Sequence, residues 1–156
     1  MPHPVPIFVI DSGRSAEDYS RWLKGRAAAH RKRDFARAQK TGLPPPAQKV
    51  YVEKIHKAVL RSGGTDEYTG DLLDWSLIGV WSNEEASARG AAYKRKHSRK
   101  PTVDHIHDED GRPLALDDLR ICSWALNDAK GDLSFADFES LCRRVIETSE
   151  RRMLRG

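Results

Sequence analysis

Three consecutive prolines, Pro44-Pro45-Pro46, stop any helix that arrives from their N-terminal side, because each ring fixes φ, removes an amide donor and crowds the carbonyl four residues back. Coming after Gly42, they read as a short, stiff connector that divides the chain into residues 1–46 and residues 47–156. A chain of 156 residues suits one compact domain with a modest core, so a second large domain is not expected. With 38% apolar and 32% charged residues, the composition fits a globular fold with a wet, charged exterior.

The segment before the connector is cationic. Between positions 21 and 40 stand Arg21, Lys24, Arg26, Arg31, Lys32, Arg33, Arg37 and Lys40, against Asp34 as the sole acid. Ser15-Ala16-Glu17-Asp18 just upstream reads as a helix start, with a serine able to accept from orphan amides and acids in the first turn. Tyr19, Trp22 and Leu23 fall at helical spacing, so they can anchor one face and leave the arginines outward. Such an arm either contacts several phosphates or is a solvated face. The net charge of +4 and pI near 9.2 lean weakly toward a polyanionic partner and name none.

Beyond the connector, Tyr51, Ile55, Ala58 and Val59 mark one face of a helix over Gln48 to Leu60, which Ser62-Gly63-Gly64 ends. Tyr68-Thr69-Gly70 reads as a turn, and Leu72, Leu73, Trp75, Leu77 and Ile78 after it as core. Glu84 to Lys100 is polar and carries a second basic cluster, Lys94, Arg95, Lys96, Arg99 and Lys100, a further candidate phosphate surface. Pro101 opens an extended run, Thr102 to His107, with one apolar and one functional face. Gly111 and Pro113 mark a loop, and Leu119-Arg120-Ile121-Cys122-Ser123-Trp124 is the returning strand of a hairpin. A helix begins near Ala125 or Asn127 and breaks near Gly131. Ser134 with Asp137 caps the next one, whose Phe135, Phe138, Leu141, Cys142, Val145 and Ile146 form an amphipathic face expected to close the core.

No apolar run approaches the roughly 20 residues that span a bilayer, and Met1-Pro2-His3-Pro4-Val5-Pro6 has neither a basic nor an apolar leader region, so no membrane contact and a cytoplasmic location are expected. Cys122 and Cys142 are too few for a disulfide framework or a Cys-x-x-Cys zinc pair, and read as buried free thiols.

Strand, loop, strand and helix, with Asp104-His105 on the first strand and Asn127 at the helix start, resemble the ββα-metal core of His-Me finger (HNH) endonucleases. The resemblance is carried by Val103-Asp104-His105-Ile106, by Leu119-Arg120-Ile121-Cys122, and by Asn127 with Lys130-Gly131, over about residues 101 to 131. Tyr68-Thr69-Gly70 also looks like the turn that precedes this core in members lacking a structural zinc. The resemblance implies an α+β fold: a mostly helical single domain around a hairpin-helix core, with residues 1–46 supplying the basic arm and 47–156 the nuclease domain.

It further implies roles. His105 matches the general base that takes a proton from water, which an imidazole with an ordinary pKa near 6.5 can do near neutrality. Asp104 and Asn127 match the ligands of one divalent ion, and a carboxylate with an amide suits magnesium or manganese better than zinc. Adjacent strand residues point to opposite faces, so Asp104 and His105 share one site only at a bend or at the hairpin edge. Asp118 stands nine residues before Asn127, where the family has an orienting Asn. Either it orients the ring of His105 as a carboxylate, or the alignment is off by a position. Lys130 either contacts phosphate or is solvated, and His107 is either an extra ligand or DNA contact, or a surface histidine. Arg26, Arg31, Lys32, Arg33, Arg37, Lys94, Arg95, Lys96, Arg99 and Lys100 are the expected nucleic-acid contacts, with DNA favoured over RNA. A homodimer would be needed to cut both strands. The alternatives are a DNA-binding module on the same fold without chemistry, and a ribonuclease or toxin-type nuclease.

Overall fold

The computed structural model describes residues 3–41, 44–105 and 118–154, and the side chains at 37 and 39–41 also lie outside the description. His107, the far end of the first strand and the Gly111 and Pro113 loop therefore lie outside the described residues, as does the side chain of Arg37. The fold is mostly helical with one small antiparallel sheet, an α+β arrangement. In chain order come α1 (Ile7–Asp11), α2 (Ala16–Thr41), α3 (Gln48–Ser62), a 3₁₀ turn at Trp75–Leu77, α4 (Asn83–Lys96), β1 (Pro101–His105), β2 (Leu119–Ser123), α5 (Trp124–Lys130) and α6 (Phe135–Met153).

Local chemistry sets the helix ends. Ser15 Oγ accepts from the Asp18 amide at 3.1 Å and the Asp18 carboxylate accepts from the Ser15 amide at 3.3 Å, a reciprocal cap that starts α2. Gly63, at φ 58°, ends α3 in the left-handed conformation that a side chain resists. Ser134 caps α6 by accepting from the Asp137 amide at 3.1 Å. Gly90, at φ 52° and ψ −127°, breaks the regular path of α4.

One core joins both sides of the proline connector. Tyr19, Trp22, Leu23 and Ala27 of α2 meet Tyr51, Ile55, Ala58 and Val59 of α3, and the cluster continues through Leu73, Trp75 and Ile78 to Val103, Leu119 and Ile121 of the sheet. The register pairs Pro101 with Ser123, Val103 with Ile121 and His105 with Leu119. All five residues of β1 are buried, so the strand is covered on both sides. The reason is packing: the α2/α3 core takes the face of Val103, and α5 lies over the other.

The outer edge of β2 is closed by two acids. Glu67 exchanges both bonds with Ile121, its amide donating to the Ile121 carbonyl at 2.9 Å and its carboxylate accepting from the Ile121 amide at 2.6 Å. Asp66, 1% exposed, accepts from the amides of Tyr68 at 2.9 Å, Thr69 at 3.3 Å and Ser123 at 2.8 Å. The Thr65-to-Gly70 turn is thus stitched to the hairpin by one backbone bond and two carboxylates where a third strand would use backbone throughout.

Two sequence expectations are corrected. Leu72 is 66% exposed, because it forms an isolated bridge with Thr65 and gives its carbonyl to Arg99 while the side chain turns outward. No residue of α6 is buried, with Val145 61% and Ile146 56% exposed, so this helix does not close the core. The α2, α3 and sheet residues already fill it, and α6 leans on the body through Phe135, stacked 4.9 Å from Tyr68. Cys122 is a buried free thiol as expected, while Cys142 is only half-buried.

Replacing Asp66 by Ala should strand three amides at a buried position, and at about 1–3 kcal/mol for an unsatisfied group the expected destabilisation is about 3 kcal/mol. Chemical denaturation reads it directly. A loss under about 1 kcal/mol would show that water replaces the carboxylate and that the stitch contributes little.

Candidate functional site

Asp104 and His105 are both 5% exposed and point to opposite sides of β1. On the α5 side, the Asp104 carboxylate accepts from the Tyr68 hydroxyl at 2.6 Å and lies 3.4 Å from Lys130 Nζ, both through Oδ2. Lys130, 2% exposed, is therefore a buried partner of Asp104 and no solvated lysine. Asn127 is half-buried one turn earlier on α5, on the helix face that carries Lys130. Burial and then the bond to Asp104 push the Tyr68 hydroxyl well above its ordinary value, so it stays a donor. Burial first, then the charge of Asp104, likewise hold the Cys122 thiol protonated.

On the α2 side, His105 Nδ1 stands 3.7 Å from Asp34 Oδ1, and its ring packs edge-on against His30 with centroids 5.9 Å apart. Asp34 also accepts from the Tyr51 hydroxyl at 2.6 Å, which fixes the carboxylate. The carboxylate beside His105 is thus one that sequence reasoning did not assign. Its signal was its isolation, as the sole acid among the cations of the arm. Asp118 is half-buried at the foot of β2, where its charge acts on Arg61. That arginine holds Glu67 at 2.7 Å and the Leu119 carbonyl.

The basic residues divide. Arg31, Lys32, Lys94, Arg95, Lys96 and Arg99 are exposed, with Arg31 donating to the Pro46 carbonyl at 3.1 Å and Arg99 to the Leu72 carbonyl at 2.8 Å. Arg33 is exposed and sets one guanidinium nitrogen 3.1 Å from both ring nitrogens of His30. Arg26 is half-buried and Lys100 is 7% exposed, so these two are not part of an outward surface. Among the described residues no group of three or more His, Cys, Asp or Glu side chains could hold a metal ion, and no helix is long and apolar enough to cross a membrane. Compared with protein-family models, with curated proteins and with solved structures, the chain matches none.

Two measurements probe this arrangement. Lys130→Met should leave Asp104 buried beside Tyr68 alone and cost about 3 kcal/mol by denaturant titration; a neutral result would mean that the pair adds nothing beyond packing. The His30 imidazole is pushed down to about 3, first by burial and then by the charges of Arg33 and His105. Below its ordinary value near 6.5 the unfolded chain takes up a proton that the folded chain refuses. This contribution is therefore complete above about pH 6.5 and drains as pH falls toward about 3. The loss approaches about 1.4 kcal/mol per pH unit, and His30→Gln should remove that component from denaturation curves taken between about pH 7 and about pH 4. An identical slope in the variant would show that His30 titrates normally.

Proposed function

We propose that this chain is a metal-dependent nuclease of the His-Me finger (HNH) type that hydrolyses DNA phosphodiester bonds. One observation supports the reading: among the described residues β1, β2 and α5 are consecutive elements, and Asp104 meets Lys130 on the face of α5 that also bears Asn127. The sequence resemblance supplies the roles, and the hairpin-helix order agrees with it.

The residues present fit one hard divalent ion. Asp104 and Asn127 offer a carboxylate and an amide oxygen on facing elements, and among the described residues Asp104 Oδ1 makes no hydrogen bond. Magnesium or manganese would be held by these two side chains with water and phosphate oxygens in the remaining positions. When bound, the ion would offset the negative charge that develops on the phosphate.

The chain's own groups do the rest. His105 takes the proton of the attacking water, and Asp34 at Nδ1 favours the tautomer that leaves Nε2 as acceptor. As water oxygen bonds to phosphorus, the bond to the 3′ oxygen breaks; that oxygen takes a proton from solvent while His105 returns its own to solvent, and the products are a 5′ phosphate and a 3′ hydroxyl. Lys130 would answer phosphate charge once it turns from Asp104. The exposed cations Arg31, Lys32, Arg33, Lys94, Arg95, Lys96 and Arg99 supply non-specific affinity for the strand. A monomer nicks and a dimer cuts both strands.

A second reading, a DNA-binding module without chemistry, is favoured by the same pair at 3.4 Å, since an internal ammonium already answers the Asp104 charge. Supercoiled plasmid and RNA, each incubated with and without magnesium or manganese, separate the readings. Metal-dependent nicking of plasmid that His105→Ala abolishes supports the nuclease. Binding without cutting supports the module, and cutting of RNA alone makes the chain a ribonuclease. Neutralising Arg31, Lys32 and Arg33 together should reduce the salt slope of DNA binding by about two to three phosphate contacts; an unchanged slope would return the arm to a solvated role.

A further inference from the structure

Arg26 and Lys100, the two cations drawn inward, line one pocket of about 580 Å³ between α2, the loop after the 3₁₀ turn and the start of α5. Sites for small ligands span roughly 300–1,000 Å³, so a mononucleotide-sized molecule fits. Arg14 and Arg21 also line it, but each has a partner: Arg14 donates to the Ser76 carbonyl at 2.8 Å, and Arg21 pairs with Glu17 at 2.9 Å and Asp18 at 3.5 Å. Arg26 and Lys100 are ion-paired to no described residue. Arg26 Nε and Trp22 Nε1, one helical turn apart on the pocket wall, are buried donors without a hydrogen-bond partner among the described residues.

Holding two cations inward with no counter-ion among the described residues is unfavourable, and an anion in the pocket relieves it. The strain shows in the groups themselves: burial, then the charge of Arg26, brings Lys100 down to about 8, and burial, then Arg33, lowers Arg26. The remaining wall is aromatic. Lys100 Nζ sits 4.8 Å from the centre of Trp81, and Trp81 and Trp124 lie 5.0 Å apart at 35°, both half-buried. Half-open indoles beside an anion site suit a flat base carried on a phosphate.

We propose that this pocket binds an unpaired nucleotide, its phosphate held by Arg26 and Lys100 and its base stacked on Trp81 and Trp124. The phosphate-and-base chemistry stands on the pocket alone; only the idea that a DNA strand supplies the nucleotide rests on the nuclease reading. Trp124 opens the helix that carries Asn127 and Lys130, so an occupied pocket would fix one nucleotide of the strand relative to the candidate centre.

Calorimetric titration in metal-free buffer tests it, with deoxyadenosine monophosphate, deoxyadenosine, inorganic phosphate and a short single-stranded oligodeoxyadenylate as probes. The monophosphate should bind at least about tenfold more tightly than deoxyadenosine or phosphate. Arg26→Gln and Lys100→Gln should each weaken it by about tenfold or more, and Trp124→Leu should reduce its advantage over phosphate. Thermal melting checks that each variant is folded, and the comparison of probes on the unaltered chain needs no variant. An oligonucleotide much tighter than the monophosphate assigns the site to a strand, and an equal or weaker one assigns it to a free nucleotide. Equal or absent binding of the monophosphate, deoxyadenosine and phosphate overturns the proposal, as does full affinity in folded Arg26→Gln and Lys100→Gln. Because no metal is present and His105 is unaltered, these outcomes are independent of whether the chain nicks plasmid.

Discussion

Among the described residues the sheet has two strands of five residues, too little to stand in water, and the chain solves this by burying both of its faces. Everything about the candidate site follows from that constraint. A strand reading Pro-Thr-Val-Asp-His must take two ionisable side chains inside with it, and each must find a partner there. The α5 face answers Asp104 with Lys130 and Tyr68, and the α2 face answers His105 with Asp34 and the edge of His30. The same packing that stabilises the hairpin therefore charges the two sides of it differently.

The elements were readable where local rules decide them. Ser15, Ser134 and Gly63 set helix ends by chemistry that acts within a few residues, and the apolar spacing of α3 points to the face that is buried. Asp104 beside Lys130 follows from the order of strand and helix once the hairpin is assumed. What the sequence did not disclose are the partners supplied across long separations. Asp34 lies far from His105 along the chain and stood out only as the sole acid in a basic run; Asp66 and Glu67 drew no reading at all. The amphipathic pattern of α6 was real, but periodicity reports only that a helix has an apolar face and cannot say whether the core has room for it.

The basic segments illustrate how one composition serves several purposes. Arg61 braces Glu67 and the Leu119 carbonyl, Arg33 lies against His30, and Arg31 and Arg99 tie loops through carbonyl oxygens. The charge that suggests a polyanionic partner is thus partly architectural. Counting cations along the chain overstates the surface available to phosphate, because two of those counted, Arg26 and Lys100, are turned toward the interior.

The acids along β2 have one more effect. A two-stranded sheet has two edges, and an open edge invites pairing with any extended chain nearby. With Glu67 bonded to both polar groups of Ile121 and Asp66 holding the Ser123 amide, that rim of β2 offers little to a foreign strand. Charged side chains here work as a seal along this edge of β2 against pairing with another strand.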